Sequence, residues 1–305
     1  MNSRRLDEII SLRESAATLQ VVFLDIERYS RRRTKTQKAV VDEFTACIKV
    51  GLEKVAAENV TYAQTNDYNF GTDVIRIPTG DGAAICFSFD GLHDLHLNFA
   101  LRVLEEVERR NELAKCELFG RDGWCNCHAI FNLRVGVAEG KTVVYRDING
   151  NYNAAGNALN MAARVMNLMD PGQVGLTKEA YDQLVDMVDD PKMSERFVLH
   201  EDLSIKHGES ISIYQYVDPT LEFLDSDEPS RAAEYARMRS MAKSMEGVLP
   251  FKLPTPGSVT AASMADFAEV LAEATVKLAA LQNGESVDGS SLNAGKRPVI
   301  EGEAS

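Results

Sequence analysis

Residues 19–26 of this chain read LQVVFLDI, an uninterrupted apolar run that ends in an aspartate and an isoleucine. The run is rich in β-branched residues and has the length of a strand, which predicts a buried strand. A second apolar segment, residues 83–89 (AAICFSF), follows the turn-forming residues 78–82 (PTGDG). Residues 73–77 (DVIRI) precede this turn, so the two segments are predicted to form a hairpin.

Further helices and strands are predicted from the spacing of apolar residues along the rest of the chain. Predicted helices cover residues 6–18, 36–57, 93–115, 155–169 and 177–188, and predicted strands cover residues 129–138, 141–147, 173–176, 195–203 and 210–217. Because hairpins are mixed with helices, we expect an α+β fold with an antiparallel-rich sheet and flanking helices, and not a doubly wound sheet.

The composition divides the chain into four segments. We expect an N-terminal helix over residues 1–18, a folded domain over 19–218, a helical extension over 219–282 and a disordered tail over 283–305. Within the extension, residues 231–247 and 262–282 are rich in alanine, methionine and leucine at helical spacing and are predicted helices, whereas the tail is rich in glycine, serine and glutamate.

Charge and cysteine content limit the classes of function. The 305 residues include 33 Lys and Arg against 46 Asp and Glu, a net charge of −13, and 45% are hydrophobic. A globular protein with so negative a surface is not expected to bind nucleic acid or an anionic membrane, although a basic pocket for one polyphosphate remains possible. The five scattered cysteines, the lack of a signal-peptide pattern and the lack of an apolar run of about 20 residues indicate a cytoplasmic protein.

Two aspartates occupy positions at which a metal site can form. Asp25 ends the buried strand, where it is either a cap for the next segment or a charge that needs a partner. Asp81 is either an ordinary hairpin residue or, if the two strands are neighbours, a second carboxylate beside Asp25. Two carboxylates that repel each other are relieved by a hard divalent cation.

A second group of polar residues lies on a predicted helix and a late turn. Asn160 and Arg164 are four residues apart and therefore share one helix face, which is either ordinary surface or a site for a sugar and a phosphate. Lys206 lies in a basic turn, residues 205–208 (IKHG), in which it can be merely solvated.

Two other features have open interpretations. The basic run at residues 31–35 (RRRTK) either steers an anion or is a solvated loop. His93 and His96 lie three residues apart near the start of a helix, and we expect them to be surface or capping groups and not ligands.

Together these motifs resemble the class III nucleotide cyclases over about residues 19–217. The similarity is carried by residues 23–30 (FLDIERYS), 79–82 (TGDG), 133–137 (LRVGV), 156–164 (GNALNMAAR), 205–208 (IKHG) and 214–217 (YQYV). The resemblance implies the ferredoxin-like fold of that family. It also implies attack of a ribose 3′-oxygen on the α-phosphate of a nucleoside triphosphate, with loss of pyrophosphate.

The resemblance also implies roles for individual residues. Asp25, Asp81 and the carbonyl of Ile26 would hold two divalent cations, Mn²⁺ or Mg²⁺. Asn160 would orient the ribose and Arg164 would stabilise the transition state. Family members share each site between two chains, so a homodimer is implied, with the metals held by one chain and the Asn/Arg pair supplied by the other.

The remaining positions concern the phosphates and the base. Lys206 matches the triphosphate-binding lysine of the family. Ile77 and Asn153 stand where purine cyclases of the family carry their two base-reading residues. The pair of residues that reads adenine and the pair that reads guanine are both absent from these positions. Arg28 and Tyr29 replace smaller or less polar residues of many relatives, which would reduce the space for a two-ring base.

In these departures the chain resembles the bacterial pyrimidine cyclases of Pycsar anti-phage systems. This resemblance implies conversion of UTP to cyclic UMP, or of CTP to cyclic CMP, as a messenger for a separate effector protein. Two alternatives stay open: an adenylate cyclase with unusual base recognition, and a catalytically silent nucleotide-sensing module.

Overall fold

The structure is a computed structural model that describes residues 3–12, 15–88, 91–115, 126–204 and 210–245. Its strands are β1 (Ala16–Ile26), β2 (Val74–Pro78), β3 (Gly82–Phe87), β4 (Leu133–Arg146), β5 (Tyr152–Ala155), β6 (Val174–Leu176), β7 (Phe197–Ser204) and β8 (Ser210–Tyr216). Its α-helices are α1 (Arg4–Ser11), α2 (Thr34–Glu58), α3 (Val60–Thr65), α4 (Leu95–Ala114), α5 (Asn157–Leu168), α6 (Lys178–Met187) and α7 (Ser230–Met245).

All eight strands belong to one sheet, in which the long strand β1 lies near the centre. The strand order is β2-β3-β1-β4-β6-β8-β7, and β5 pairs with β4 outside this path. The pairing of β4 with β6 is parallel, and the other described pairings are antiparallel. The predicted α+β fold with an antiparallel-rich sheet is therefore confirmed.

Helices cover both faces of the sheet because successive side chains of β1 point in opposite directions. Val22, Leu24 and Ile26 pack in a core with residues of α2, α4 and α6. Leu19 and Val21 pack on the opposite face, with residues of α1 and α5. Of the helices within the described residues, none combines the length and hydropathy needed to cross a bilayer.

Helix α5 lies directly on the main chain of β4 because the strand has a glycine where the two elements cross. A Cβ atom on Gly136 would lie 2.1 Å from the carbonyl oxygen of Ala162 and 2.4 Å from the main-chain nitrogen of Met166. No side chain fits into such a gap. The sequence thus fixes the position of the helix that carries Asn160 and Arg164.

The N-terminal segment differs from its prediction. The predicted helix over residues 6–18 ends at Ser11, and β1 begins at Ala16 instead of residue 19. Ala16 pairs with Val143 across β4, so a long neighbouring strand satisfies main-chain groups that a helix would otherwise have satisfied internally.

The two strands predicted over residues 129–138 and 141–147 are one continuous strand, β4. Its partner in the following hairpin is β5, whose short sequence gave no strand signal. The C-terminal helix predicted from residue 231 matches α7, whereas the helix predicted over 262–282 and the tail lie outside the described residues.

Candidate active site

Asp25 lies at the end of the central strand, between two neighbouring strands. It is directly opposite Gly82 on β3 and Arg134 on β4. The Nη2 atom of Arg134 donates a hydrogen bond to Oδ2 of Asp25 at 2.5 Å, and 15% of the Asp25 side chain is exposed. A carboxylate at the rim of the sheet is thus held by one cation and still reaches solvent.

Asp81 belongs to the turn that joins β2 to β3, and this turn is bonded to the end of β1. The main-chain N–H of Ile26 donates to the carbonyl oxygen of Asp81 at 3.0 Å. A Cβ atom on Gly82 would lie 2.3 Å from the carbonyl oxygen of Leu24, so the turn approaches β1 as closely as a glycine allows. Asp25 and Asp81 are therefore brought to the same corner of the sheet.

The electrostatics of Asp25 reflect these neighbours. Burial raises the pKa of the Asp25 carboxyl, and the charge of Asp81 adds to this increase. The hydrogen bond and the charge of Arg134 act in the opposite direction. The corner therefore holds a second acidic group that disfavours the charge of Asp25, which is the situation that a bound cation relieves.

Arg134 belongs to the motif at residues 133–137, which predicts no role for its side chain. Its Nε atom is buried and has no hydrogen-bond partner among the described residues. The signal was a charged residue inside an otherwise apolar strand, since such a residue is rarely buried without a partner.

The donor set at this corner suits a hard divalent cation, which prefers oxygen ligands. The side chain of Ile26 is a hydrocarbon that is buried in the core, so the main-chain oxygen is the atom of Ile26 that can bind a cation. No group of three or more His, Cys, Asp or Glu side chains within the described residues is arranged to hold a metal ion. A cation at Asp25 and Asp81 would therefore complete its coordination with main-chain oxygens, water or phosphate.

Asn160 and Arg164 lie on α5, away from the side of the helix that faces the sheet. Ala158 and Ala162 are buried against the sheet, whereas Asn160 is exposed and Arg164 is half-buried. The predicted sharing of one helix face by Asn160 and Arg164 is consistent with this helix.

The two predicted base-reading residues lie on neighbouring strands, and the Ile77 side chain is on the α5 side of the sheet. Ile77 is opposite Ala84, which is opposite Phe23, and Ile77 packs in the same cluster as Ala154. Asn153 precedes Ala154 on β5, and its Oδ1 atom accepts the N–H of Ala154 at 2.7 Å. An apolar side chain and an amide therefore lie on neighbouring elements.

The other residues predicted to bind substrate are placed differently. The Tyr29 side chain packs against the core on the α2 and α4 side, on the opposite face of the sheet from Ile77. Arg28 has a φ of +54° and pairs with Glu27 at 3.0 Å. Lys206 lies outside the described residues.

The left-handed backbone at Arg28 is unusual because glycine is the residue that adopts it without cost. The side chain makes no capping hydrogen bond to the short helical turn at residues 29–31 that follows. The local structure therefore gives no reason for an arginine three residues after Asp25.

Comparison with known proteins gave matches to solved structures only. No family model matches the chain, and no curated protein matches it. Similar structures include the guanylate cyclase domain of RhGC from Catenaria anguillulae in complex with GTP (17% identity, TM-score 0.44, 66% of this chain and 96% of that chain). They also include the adenylate/guanylate cyclase/hydrolase from Silicibacter pomeroyi (17%, 0.44, 67% and 98%) and the adenylyl cyclase CyaB from P. aeruginosa (14%, 0.45, 67% and 95%).

Three surface cavities among the described residues lie away from the carboxylates. Their volumes are about 840, 470 and 220 Å³, and none of the three is lined by Asp25 or Asp81. The largest lies beside α1 and is lined by Arg5, Asp67 and Asp73 among others. The corner that holds the two carboxylates lies outside these three cavities, and 15% of the Asp25 side chain is exposed there.

Proposed function

We propose that this protein is a nucleotide cyclase that depends on divalent cations and converts UTP to 3′,5′-cyclic UMP and pyrophosphate. The observation that carries the proposal is the convergence of Asp25 and Asp81, which lie 56 residues apart in sequence, at one corner of the sheet. Two carboxylates and a nearby main-chain oxygen suit Mg²⁺ or Mn²⁺ bound to a triphosphate.

The reaction forms a bond between the ribose 3′-oxygen and the α-phosphorus and breaks the bond from that phosphorus to the bridging oxygen. Pyrophosphate leaves, and the hydroxyl proton passes to solvent. When bound, divalent cations neutralise phosphate charge and lower the pKa of the attacking hydroxyl. Asp25 and Asp81 hold the cations, Asn160 orients the ribose, and Arg164 faces the charge that develops on the phosphate.

The phosphates and the base are assigned to different groups. Lys206 and Arg28 bind the triphosphate, and Tyr29 fixes the turn that carries Arg28 through its packing on the core. Ile77 packs against the base, and the Asn153 amide reads its polar edge, since an amide offers both a donor and an acceptor. CTP is the other pyrimidine that this pair of residues suits.

The proposed site is shared by two chains of a homodimer. The exposure of Asn160 and the partial exposure of Asp25 support this, because a single chain leaves both side chains accessible. The protein acts in the cytoplasm without nucleic acid or membrane. Its product serves as a messenger that a separate effector reads in defence against phage.

A second candidate is a catalytically silent nucleotide-binding module. It is favoured by the Asp25–Arg134 ion pair, because an arginine that already neutralises the carboxylate can take the place of a cation. The presence of Asp81, Asn160 and Arg164 together favours the enzyme.

The deciding experiment is incubation of the purified protein with each of the four nucleoside triphosphates and Mn²⁺. We expect cyclic UMP as the main product, with one pyrophosphate for each molecule formed. Dominant cyclic AMP would contradict the pyrimidine assignment and indicate an adenylate cyclase with unusual base recognition. The absence of any cyclic product, together with measurable nucleotide binding, would indicate the silent module.

A further inference from the structure

A second polar cluster lies on the same two strands, in the middle of their pairing and away from Asp25. Gln20 of β1 is directly opposite Glu139 of β4, and both side chains lie against the start of α4. The Gln20 amide accepts the main-chain N–H of His96 at 3.2 Å and donates to the carbonyl oxygen of Leu92 at 2.5 Å. His96 itself is completely buried, so its prediction as a surface group is wrong, whereas its ring accepts a main-chain N–H in the first turn of α4, as a capping group does.

The hydrogen bonding of His96 fixes the position of its proton. The main-chain N–H of Leu97 donates to Nδ1 of His96 at 2.9 Å. A ring nitrogen that accepts a hydrogen bond carries no proton, so the imidazole is neutral and its proton lies on Nε2. Nε2 has no hydrogen-bond partner among the described residues and lies 3.9 Å from Oε2 of Glu139.

The neutral imidazole leaves Glu139 without a counter-charge. Its Oε2 atom is buried and also lacks a hydrogen-bond partner among the described residues, and 11% of the side chain is exposed. An isolated carboxylate is costly to bury, so such a group takes up a proton. The groups that face the pair are Gln20, which is uncharged, and His93, whose Nδ1 atom is likewise buried without a described partner.

We propose that His96 and Glu139 form a buried neutral pair, in which folding removes a proton from the imidazolium and adds one to the carboxylate. Between pH 4.5 and pH 6.5 the unfolded chain carries one positive and one negative charge at these positions, and the folded chain carries none. No net proton is taken up or released, so the exchange does not change how the stability of the intact protein depends on pH, and it changes that dependence only when one partner is removed.

The pKa directions agree with this geometry. Burial lowers the pKa of His96 to about 3 from 6.5, with a further contribution from His93, and burial raises the pKa of Glu139 to about 7 from 4.5. His96 therefore contributes stability that is present above pH 6.5 and is lost as pH falls towards about 3. Glu139 contributes stability that is full below pH 4.5 and is lost as pH rises through about 7. Between pH 4.5 and pH 6.5 the two contributions to stability change with pH in opposite directions, so their changes cancel.

The first test is NMR of the full chain labelled with ¹⁵N-histidine, with the His96 signals assigned by their loss in His96→Gln. We expect two inequivalent ring nitrogens, as in a neutral imidazole protonated at Nε2, throughout the range from about pH 5 to about pH 6.5. The signals of an imidazolium in this range would overturn the proposal, because they would show a charged pair. This measurement uses the intact pair and does not depend on the stability of a variant.

The second test is the unfolding equilibrium constant in urea, measured over the same pH range. Relative to the parent, we expect the constant of Glu139→Gln to rise by up to tenfold for each unit by which pH falls, because the lone His96 must then lose its proton to fold. The constant of His96→Gln should instead rise by up to tenfold for each unit by which pH rises. Glu53→Gln, at an exposed position on α2, should show a ratio that does not change with pH. Equal pH dependence in both single variants and the parent would contradict the neutral pair.

Discussion

The β1–β4 strand pair buries one acidic side chain near one end and another in its middle, and it does so in opposite ways. At one end, Asp25 faces Arg134 at 2.5 Å, with the second carboxylate of Asp81 in the adjoining turn. In the middle of the pair, Glu139 faces a neutral imidazole and an amide. The comparison shows that the surroundings of an acid decide its use: a carboxylate kept charged at a rim can take a cation, and one buried without a counter-charge becomes part of the core.

The largest expected effect on activity comes from removing one of the two carboxylate charges at the Asp25 end of the strand pair. Asp81→Asn should lower cyclase turnover by about 10³-fold, since loss of a metal ligand removes several kcal/mol of transition-state stabilisation. Asp42→Asn, at an exposed position on α2, should leave turnover unchanged. Initial rates with UTP and Mn²⁺ measure both variants, and circular dichroism checks their folding. Parent-level turnover in Asp81→Asn would show that the carboxylates at the Asp25 end do not hold a catalytic cation.

The next largest effect tests whether a second chain completes the site at the Asp25 end. Arg164→Ala should lower turnover by about 10²–10³-fold, as expected for loss of a charged contact to the transition state. A mixture of Arg164→Ala and Asp25→Ala chains should recover part of the activity, because one of the two sites in a mixed dimer is then intact. The initial cyclase rate of the mixture is compared with the rate of each variant alone. A mixture that is no more active than its components would contradict a shared site.

Gly136 lies on β4 between Arg134 and Glu139, and its substitution tests packing and not chemistry. Gly136→Ala should lower the free energy of unfolding by about 3 kcal/mol, because its Cβ would meet the main chain of α5 at 2.1 Å. Gly140→Ala is the matched control, since its Cβ would lie at an ordinary 3.6 Å from Ala158. Urea unfolding of both variants gives the difference, and equal losses would mean that α5 does not rest on β4 at Gly136.

The smallest effect distinguishes strain from binding beside the Asp25 end. Arg28→Gly should raise the free energy of unfolding by about 0.5 kcal/mol, because glycine tolerates the left-handed backbone. The same change should raise the KM for UTP about tenfold through loss of a charged contact to phosphate. Asp67→Gly, at a φ of +49°, should give a similar gain in stability without a change in KM. A loss of stability in Arg28→Gly, or an unchanged KM, would remove Arg28 from the site.

Much of the fold could be predicted because its signals are local. The apolar run before Asp25 and the glycine-rich turn before β3 specify their strands, and the spacing of apolar residues specifies α2, α4, α5 and α6. The convergence of Asp25 and Asp81 followed from one assumption, that two buried strands are neighbours. The β1–β3 register agrees with that assumption.

The errors have a common physical origin in long-range pairing. Residues 16–18 are strand because β4 is long enough to pair with them, and no property of those three residues announces it. The burial of His96 and the pairing of Arg134 with Asp25 likewise depend on which strands and helices meet. A sequence shows that a polar residue lies in an apolar segment, but it does not show the group opposite to it.

The most direct test of the central claim is a titration of Mn²⁺, followed by electron paramagnetic resonance, in the presence of a UTP analogue that cannot cyclise. The parent should bind two Mn²⁺ ions per site, and the double variant Asp25→Asn/Asp81→Asn should lose both at the same concentrations while its circular dichroism is unchanged. Equal Mn²⁺ binding by the two proteins would contradict the claim that this pair of carboxylates is the metal site.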